Sequence, residues 1–273
     1  YWTLLKKKIL YQNFFLLISS YFFYGWGDYR FLFLIFVSTV VDFFSAKIIY
    51  LSKFKKLKIL TLIFSLIVNL GILCFFKYYN FFIDSWVYLF STIGYEIKSI
   101  STLSIILPVG ISFYTFQTLS YTIDVYFNRI SPTKNFINFA TYVSLFPQLV
   151  AGPIERARNL LPQIEKTRIF SKKKFYQGLN LIIWGLFKKI VIADSLGPLT
   201  DEIFKSPSYF DGGTLFLGLL YFTFQIYCDF SGYSDIAIGT AKCYGFNFKT
   251  NFNFPYFAKN INDFWRRWHI SLS

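Results

Sequence analysis

The chain has 273 residues, of which 55% are hydrophobic and only 15% charged. This composition excludes an ordinary soluble enzyme, because a soluble domain carries about 25% charged residues. The net charge of +14 could indicate a nucleic-acid partner, but the basic residues lie in short clusters between apolar runs, as in the cytoplasmic loops of membrane proteins. The sequence therefore predicts an integral membrane protein that has no nucleic-acid partner.

Three apolar segments near the start are long enough to cross a hydrocarbon core, which takes about 20 residues as a helix. They run over 9–26, 31–50 and 59–76. Basic clusters precede the first and the third, whereas the connection at 27–30 is nearly neutral. Because positive loops favour the cytoplasm, the stretch 80–98 is predicted to be an outward-facing loop with aromatic residues typical of a membrane interface.

The next two apolar segments are interrupted. Residues 103–127 are long enough to span, but Pro108 and Gly110 predict a kink or a break. Residues 136–151 are short, contain Pro147 and lie between basic loops. This pattern predicts a re-entrant or interfacial helix rather than a full crossing.

Two further apolar segments follow. Residues 176–193 have the length of a span, although two consecutive lysines lie inside them. The helix that begins at Thr214 runs to about Tyr227 and then meets the polar string 228–235. Here the helix is predicted to fray, with its backbone lining a cavity or buried in protein.

Acidic residues inside apolar segments usually face protein or a watery cavity. Asp42 lies five residues before Lys47, which is a candidate partner, and a structural hydrogen-bond anchor is favoured over a catalytic role. Asp229 and Asp235 occur together with other polar residues, so both a substrate site and a structural role remain open for them.

The polar end of the chain also allows two interpretations. Residues 262–273 fit an amphipathic interfacial helix with two tryptophans at the headgroup level and Arg266 and Arg267 toward lipid phosphates. His269 is the only histidine. A lone histidine is often a buried structural residue, but neutral imidazole is also the natural general base at physiological pH. No spacing of histidine, cysteine or acidic residues predicts a metal site.

Four blocks stand out in order along the chain: LPVGISFYTFQ at 107–117, FPQLVAGPI at 146–154, QIYCDFSGYSD at 225–235 and DFWRRWHISLS at 263–273. Together they resemble the membrane-bound O-acyltransferase (MBOAT) family, and within it the alginate O-acetylase branch. The resemblance implies an all-α fold, a polytopic transmembrane helix bundle with re-entrant and interfacial helices around a tunnel.

The resemblance also implies one acyltransferase domain over 1–273, with scaffold helices at 9–80 and the motifs at 101–273. The sequence begins at Tyr1 and contains no methionine, so we interpret it as a fragment that is incomplete at both ends. The family's second histidine lies further along the chain than Ser273, and the sequence as given is therefore expected to be inactive.

The implied function is an O-acyltransferase, specifically an acetyltransferase, of the bacterial cytoplasmic (inner) membrane. It would move acetyl from a cytoplasmic thioester toward hydroxyls of an extracytoplasmic polysaccharide such as alginate. No bound cofactor is expected, and acetyl-coenzyme A or another acyl thioester is the expected donor. The expected partners are membrane lipids and either a periplasmic acetyltransferase or polysaccharide-assembly proteins.

The resemblance assigns the candidate catalytic residue, and the polar stretches around it supply the other candidates. His269 matches the histidine of the family's Trp-Arg-Arg-Trp-His block and is the predicted catalytic residue. Eight polar residues are the predicted substrate-binding set: Gln225, Asp229, Ser231, Tyr233, Asp235, Asn262, Arg266 and Arg267. Three of these, Gln225, Tyr233 and Asn262, are candidate donors to the oxyanion.

Two other classes of function remain open. A transporter or flippase would use Asp229 and Asp235 as a midplane site, although no internal repeat is visible. A non-catalytic scaffold of a polysaccharide export complex is the other alternative. Within the acyltransferase interpretation, alginate, cellulose and peptidoglycan all remain possible acceptors, as does D-alanylation of teichoic acid.

Overall fold

The computed structural model describes residues 1–5, 8–95, 103, 106–149 and 152–272. Within these ranges the chain forms helices and connecting turns and no β-strand, which confirms the predicted all-α fold. The chain divides into two compact units. One comprises Tyr1–Gln12, Pro147–Glu155 and Pro162–Ser273, and the other comprises Asn13–Phe146 and Arg156–Leu161. The single domain with separate scaffold and motif-bearing parts stays a prediction.

The early part of the chain forms long apolar helices. They are α1 (Ile9–Gly27), α2 (Leu32–Leu51), α3 (Lys55–Thr92), α4 (Ile111–Tyr126) and α5 (Phe136–Ser144), with a 3-10 turn at Tyr29–Phe31 before α2. The Asp28 side chain caps that turn by accepting from the Arg30 N–H at 2.9 Å. Asn135 caps α5 in the same way, because its Oδ1 accepts from the Ile137 N–H at 2.8 Å.

Three helices of the described chain are long and apolar enough to cross a membrane. They are Tyr29–Leu51, Lys55–Thr92 and Gly212–Cys243. The predicted spans at 31–50 and 59–76 fall inside the first two. The predicted span at 9–26 is a helix, but it is not one of the three because Gln12 and Asn13 lower its hydropathy, and both are buried.

The prediction of a loop at 80–98 is wrong for residues 80–92, which are helical. Helix α3 continues through this stretch for a total of 38 residues. No glycine or proline occurs between Gly71 and Gly94, so nothing in the sequence ends the helix after its apolar part. Residues 96–98 lie outside the described part of the chain.

The interruptions predicted near Pro108 and Pro147 are present. Gly110 adopts a φ of 76°, a left-handed conformation that suits glycine, and α4 begins at the next residue. Helix α5 ends at Ser144, and the four-residue α6 (Phe146–Leu149) follows. Both helices are too short to cross a hydrocarbon core, which is consistent with the predicted re-entrant or interfacial segment. Residues 150–151 lie outside the described chain.

Asp42 is buried among hydroxyl and amide groups rather than paired with a cation. Its carboxylate accepts hydrogen bonds from Ser65 Oγ, from Asn69 Nδ2 at 2.9 Å and from Thr122 Oγ1 at 3.0 Å. The candidate partner Lys47 is a wrong assignment, because its Nζ lies 4.1 Å from the Phe43 ring centroid instead. Asp42 therefore joins α2 to α3 and α4, which agrees with a structural anchor.

The other unit is built around a pair of closely packed helices. Its elements are the end of α7 (Ala157–Glu165) from Pro162 onward, α8 (Lys172–Leu186), a π-helical segment (Phe187–Ala193), α9 (Asp194–Lys205), α10 (Gly212–Cys243) and α11 (Ile261–Arg267), with 3-10 turns at Pro207–Tyr209 and Pro255–Phe257. The predicted span at 176–193 is helical throughout, but it is not among the three membrane-crossing candidates.

Helix α10 does not fray at the polar string 228–235, and that prediction is wrong. The helix runs unbroken because α8 packs directly against its glycines. A Cβ on Gly185 would lie 2.6 Å from the Gly232 carbonyl oxygen, and a Cβ on Gly239 would lie 2.5 Å from the Gly178 carbonyl oxygen. The glycines therefore serve close helix contact, and α10 presents its polar side chains from an ordered helix.

Candidate active site

A buried lysine of the π-helical segment, Lys188, contacts one face of α10. Lys188 Nζ lies 2.7 Å from Asp235 Oδ2 and donates to Ser231 Oγ at 3.0 Å. Lys188 is only 7% exposed. Ser231 and Asp235 lie one helical turn apart, so both side chains reach the same ammonium group. The Asp235 carboxylate is therefore neutralised within the protein.

The neighbouring lysine makes a second ionic cluster. Lys189 Nζ lies 2.6 Å from Asp229 Oδ1 and 2.6 Å from Asp194 Oδ1, and 5.2 Å from the Tyr233 ring centroid. Both lysines come from the π-helical segment 187–193, and such wide turns are frequent at functional sites. The two clusters account for Asp229 and Asp235 without a substrate.

The segment after α11 carries the single histidine. His269 has a φ of 45°, and its ring packs edge-on against Phe230 of α10 with centroids 4.8 Å apart. Burial lowers the pKa of the imidazole below its ordinary value of 6.5. Among the described residues no side chain or backbone group hydrogen-bonds to its ring nitrogens. The imidazole is thus neutral at physiological pH and able to accept a proton.

Helix α11 itself is shorter than the predicted interfacial helix over 262–273. It ends at Arg267, after seven residues, so the helical prediction is wrong for the rest of that range. Trp268 packs among aromatic rings, stacked on Phe264 with centroids 5.6 Å apart. Trp265, in contrast, is exposed. Extensive aromatic packing thus overrides the amphipathic pattern.

Residues 127–273 match the sequence profile of MBOAT, the membrane-bound O-acyltransferase family. This range is more than half of the chain, and it contains α10, α11 and the His269 segment. The chain belongs to the MBOAT family. The match agrees with the family suggested by the four sequence blocks, of which the last three lie wholly inside it.

This MBOAT chain is also similar to individual proteins over nearly its whole length. The probable alginate O-acetylase AlgI of Azotobacter vinelandii is 42% identical over 268 residues, 96% of this chain and 52% of that protein. The AlgI protein of Pseudomonas aeruginosa is 42% identical over 266 residues, 96% and 50%. The peptidoglycan O-acetyltransferase of Helicobacter pylori is 35% identical over 293 residues, 98% and 54%. The chain spans about half the length of these relatives.

The structure brings together four of the eight predicted substrate-binding residues of the MBOAT site. All four lie on α10 and contact Lys188 or Lys189 of the π-helical segment: Asp229, Ser231, Tyr233 and Asp235. Gln225 lies apart from them, because its Oε1 accepts from Thr200 Oγ1 of α9 at 2.6 Å. Whether any of the four binds substrate stays a prediction.

The other three predicted residues lie on α11. Asn262 and Arg266 are exposed. Arg267 Nε lies 2.9 Å from Asp263 Oδ1, and this contact lowers the pKa of the Asp263 carboxyl. In the sequence DFWRRWH, Arg267 thus closes a turn of its own helix, while the Arg266 side chain is exposed.

Sequence reasoning missed two residues that contact the His269 segment and the role of one that contacts the polar string of α10. Phe230 forms one wall, and the buried Asn251 bonds to the histidine segment. Lys188 binds the polar string of α10. The lysine was visible as a charge inside an apolar segment, which is a signal for a buried partner. Phe230 and Asn251 carry no such signal in a single sequence.

Proposed function

We propose that this protein is a multi-pass O-acyltransferase of the bacterial inner membrane. It transfers acetyl from a cytoplasmic thioester, acetyl-coenzyme A or a related donor, toward hydroxyls of an extracytoplasmic polysaccharide such as alginate. Membership of the MBOAT family and the three apolar helices support the membrane setting. The names of the AlgI and Helicobacter relatives support a carbohydrate hydroxyl as the acceptor.

The observation that carries the proposal is the environment of His269. The ring lies inside the family match, half-buried against Phe230, with a pKa lowered by burial. A general base must be neutral before it can take a proton, and burial favours that form. An aromatic wall on one side leaves the other side of the imidazole for the substrates.

In the proposed reaction the acceptor hydroxyl gives its proton to an imidazole nitrogen of His269. The hydroxyl oxygen attacks the thioester carbon, and a new C–O bond forms while the carbonyl oxygen takes up negative charge. The oxyanion then collapses, the C–S bond breaks, and the thiolate leaves and recovers the proton from the imidazolium. Atoms and charge balance, and no bound cofactor is required.

The neighbouring polar residues supply the remaining roles in this proposal. Tyr233 and Asn262 have exposed side chains that can donate to the oxyanion, and Gln225 retains its Nε2 as a donor. Arg266 is available for an anionic group of the donor. A periplasmic acetyltransferase or polysaccharide-assembly proteins are the proposed partners, and lipids cover the apolar helices.

Replacing His269 by alanine or glutamine tests the function. Each change is made in the chromosomal gene, so that the protein has its natural length and partners. We expect O-acetyl groups on the extracellular polysaccharide to fall by at least about 100-fold, since both changes remove the base. Thr250→Ala, a change at an exposed loop residue outside the site, is the control and should leave acetylation unchanged.

Immunoblots of the membrane fraction show whether each variant is present in normal amount. Normal acetylation in both His269 variants would contradict the proposed chemistry. Loss of polysaccharide from the cell exterior, with its acetylation intact, would instead indicate an export function.

A further inference from the structure

His269 is held in a rare backbone conformation by hydrogen bonds on both sides. A φ of 45° is uncommon for a residue with a side chain and persists only where the surroundings fix it. On one side the Arg267 carbonyl oxygen accepts from the Asn253 N–H at 3.0 Å. On the other side the Ile270 N–H donates to the Asn251 carbonyl oxygen at 2.9 Å. Residues 251–253 therefore hold the histidine segment in place.

Asn251 adds two bonds through its side chain. Its Oδ1 accepts from the Ser271 N–H at 3.2 Å, and its Nδ2 donates to Ser234 Oγ at 3.2 Å. Asn251 is only 1% exposed, so water does not readily replace either bond. A carboxamide both donates and accepts, and this one side chain thereby joins the histidine segment to α10.

Helix α10 also supplies the surface on which the imidazole packs. Phe230 and Ser234 lie four residues apart and therefore on the same face of the helix. The His269 ring rests on Phe230, and Asn251 bonds to Ser234. The amide bond thus fixes the segment at the same face of α10 where the imidazole lies.

We propose that Asn251 is a positioning residue for acyl transfer, which holds the His269 imidazole against Phe230. The inference rests on the proposed function, because it requires His269 to act as the base. Without the carboxamide the segment loses two hydrogen bonds, one of them buried. The imidazole then shifts from its position and gains contact with water.

Three variants test this inference. Asn251→Leu keeps the size of the side chain and removes both polar groups, Ser234→Ala removes the partner on α10, and Asn253→Leu is the matched control in the same segment. Asn253 is exposed, and its contact with the histidine segment is the hydrogen bond from its backbone N–H to the Arg267 carbonyl oxygen. Rates are measured in membranes of the producing bacterium, with acetyl-coenzyme A as donor and the endogenous polysaccharide as acceptor. Immunoblots normalise each rate to the amount of protein.

We expect Asn251→Leu to lower kcat by about 10- to 100-fold with little change in KM for acetyl-coenzyme A, because the base is displaced and the donor site is not. The acid limb of the pH profile should move to higher pH, because a more hydrated imidazole regains its ordinary pKa. Ser234→Ala should act in the same direction and add little to Asn251→Leu. Asn253→Leu should match the wild type.

A wild-type kcat and pH profile for Asn251→Leu would overturn the inference, as would a loss of protein with kcat per molecule and pH profile unchanged. If Asn251→Leu does not accumulate in the membrane, Ser234→Ala tests the inference in its place. An acid limb of the Ser234→Ala pH profile that matches the wild type would then overturn the inference.

His269→Ala in the same assay separates the two proposals. Full activity of His269→Ala means that the proposed function fails. An inactive His269→Ala with wild-type behaviour of the other two means that only the positioning role fails.

Discussion

At the scale of single residues, the contact between Phe230 and His269 has a measurable consequence. The aromatic ring keeps water from one side of the imidazole, and burial lowers the histidine pKa below 6.5. Protonation disables a general base, so activity is lost as the pH falls through the histidine pKa. A lowered pKa therefore extends activity to more acidic conditions.

We expect the acid limb of the pH profile to have its midpoint below pH 6.5 in the wild type. Phe230→Ala should move that midpoint upward, because it lets water reach the imidazole. Initial rates of acetyl transfer between pH 5 and 8 provide the measurement. Phe230→Leu, which keeps an apolar wall, should move it less. An unchanged midpoint in Phe230→Ala would show that this ring does not set the pKa.

The burial of Asp42 could be predicted from the sequence, but its partners could not. The predicted structural anchor agrees with the structure, yet the candidate partner Lys47 is wrong. Residues five apart on a helix are rotated by roughly 140° from each other, so the two side chains leave α2 in different directions. The actual partners lie on α3 and α4, far away in sequence. The same limit applied to Lys188 and Asp235.

At the scale of helices, the contact between α8 and α10 explains why α10 stays helical at 228–235, where the sequence predicts fraying. Serine and glycine in succession favour turns in an isolated chain. Here the glycines let the two backbones approach, and helix contact outweighs local preference. Such a contact needs a partner helix that a single segment does not reveal.

Gly185→Ala tests the importance of this contact. The new Cβ would lie 2.6 Å from the Gly232 carbonyl oxygen, so the helices must separate. We expect a destabilisation of about 1–3 kcal/mol, seen as a lower midpoint for thermal unfolding of the detergent-solubilised protein. Gly71→Ala in α3 is the control, because nothing lies within 4 Å of its added Cβ. That change should be neutral or slightly stabilising. Equal midpoints for both variants would contradict close packing at Gly185.

At the scale of the whole molecule, composition was sufficient to predict a helical membrane protein. The low charge content and the apolar runs indicate this class, and α2 and α3 lie where the continuous apolar runs predict them. Their ends were harder to predict, as the extension of α3 to Thr92 shows. Hydropathy reports where lipid is tolerated, whereas a helix ends only where backbone bonding ends.

Cys74 offers a test of the membrane setting. Its side chain is exposed on the surface of the apolar α3, so lipid should cover it. In a variant with Cys228→Ala and Cys243→Ala, a membrane-impermeant maleimide should leave Cys74 unlabelled in intact membranes and label it after denaturation in detergent. Asn247→Cys, at an exposed position outside the three apolar helices, is the control and should react once the membranes are opened. Rapid labelling of Cys74 in intact membranes would place α3 in water.

The length of α3 exceeds the thickness of the hydrocarbon core, so its residues beyond the core lie at depths that depend on the bilayer thickness. Its 38 residues extend about 57 Å, and even at a tilt of roughly 40° they cover about 44 Å of the membrane normal, against a hydrocarbon thickness of about 30 Å. With Lys55 at one surface, the hydrocarbon ends between about residues 75 and 81, where Lys77 lies. At a tilt of roughly 40°, Trp86 and Tyr88 lie among the headgroups of the opposite leaflet, whereas in an upright helix they lie beyond the headgroups. A thicker or thinner bilayer would change which of these rings meets water, while the helix itself stays intact.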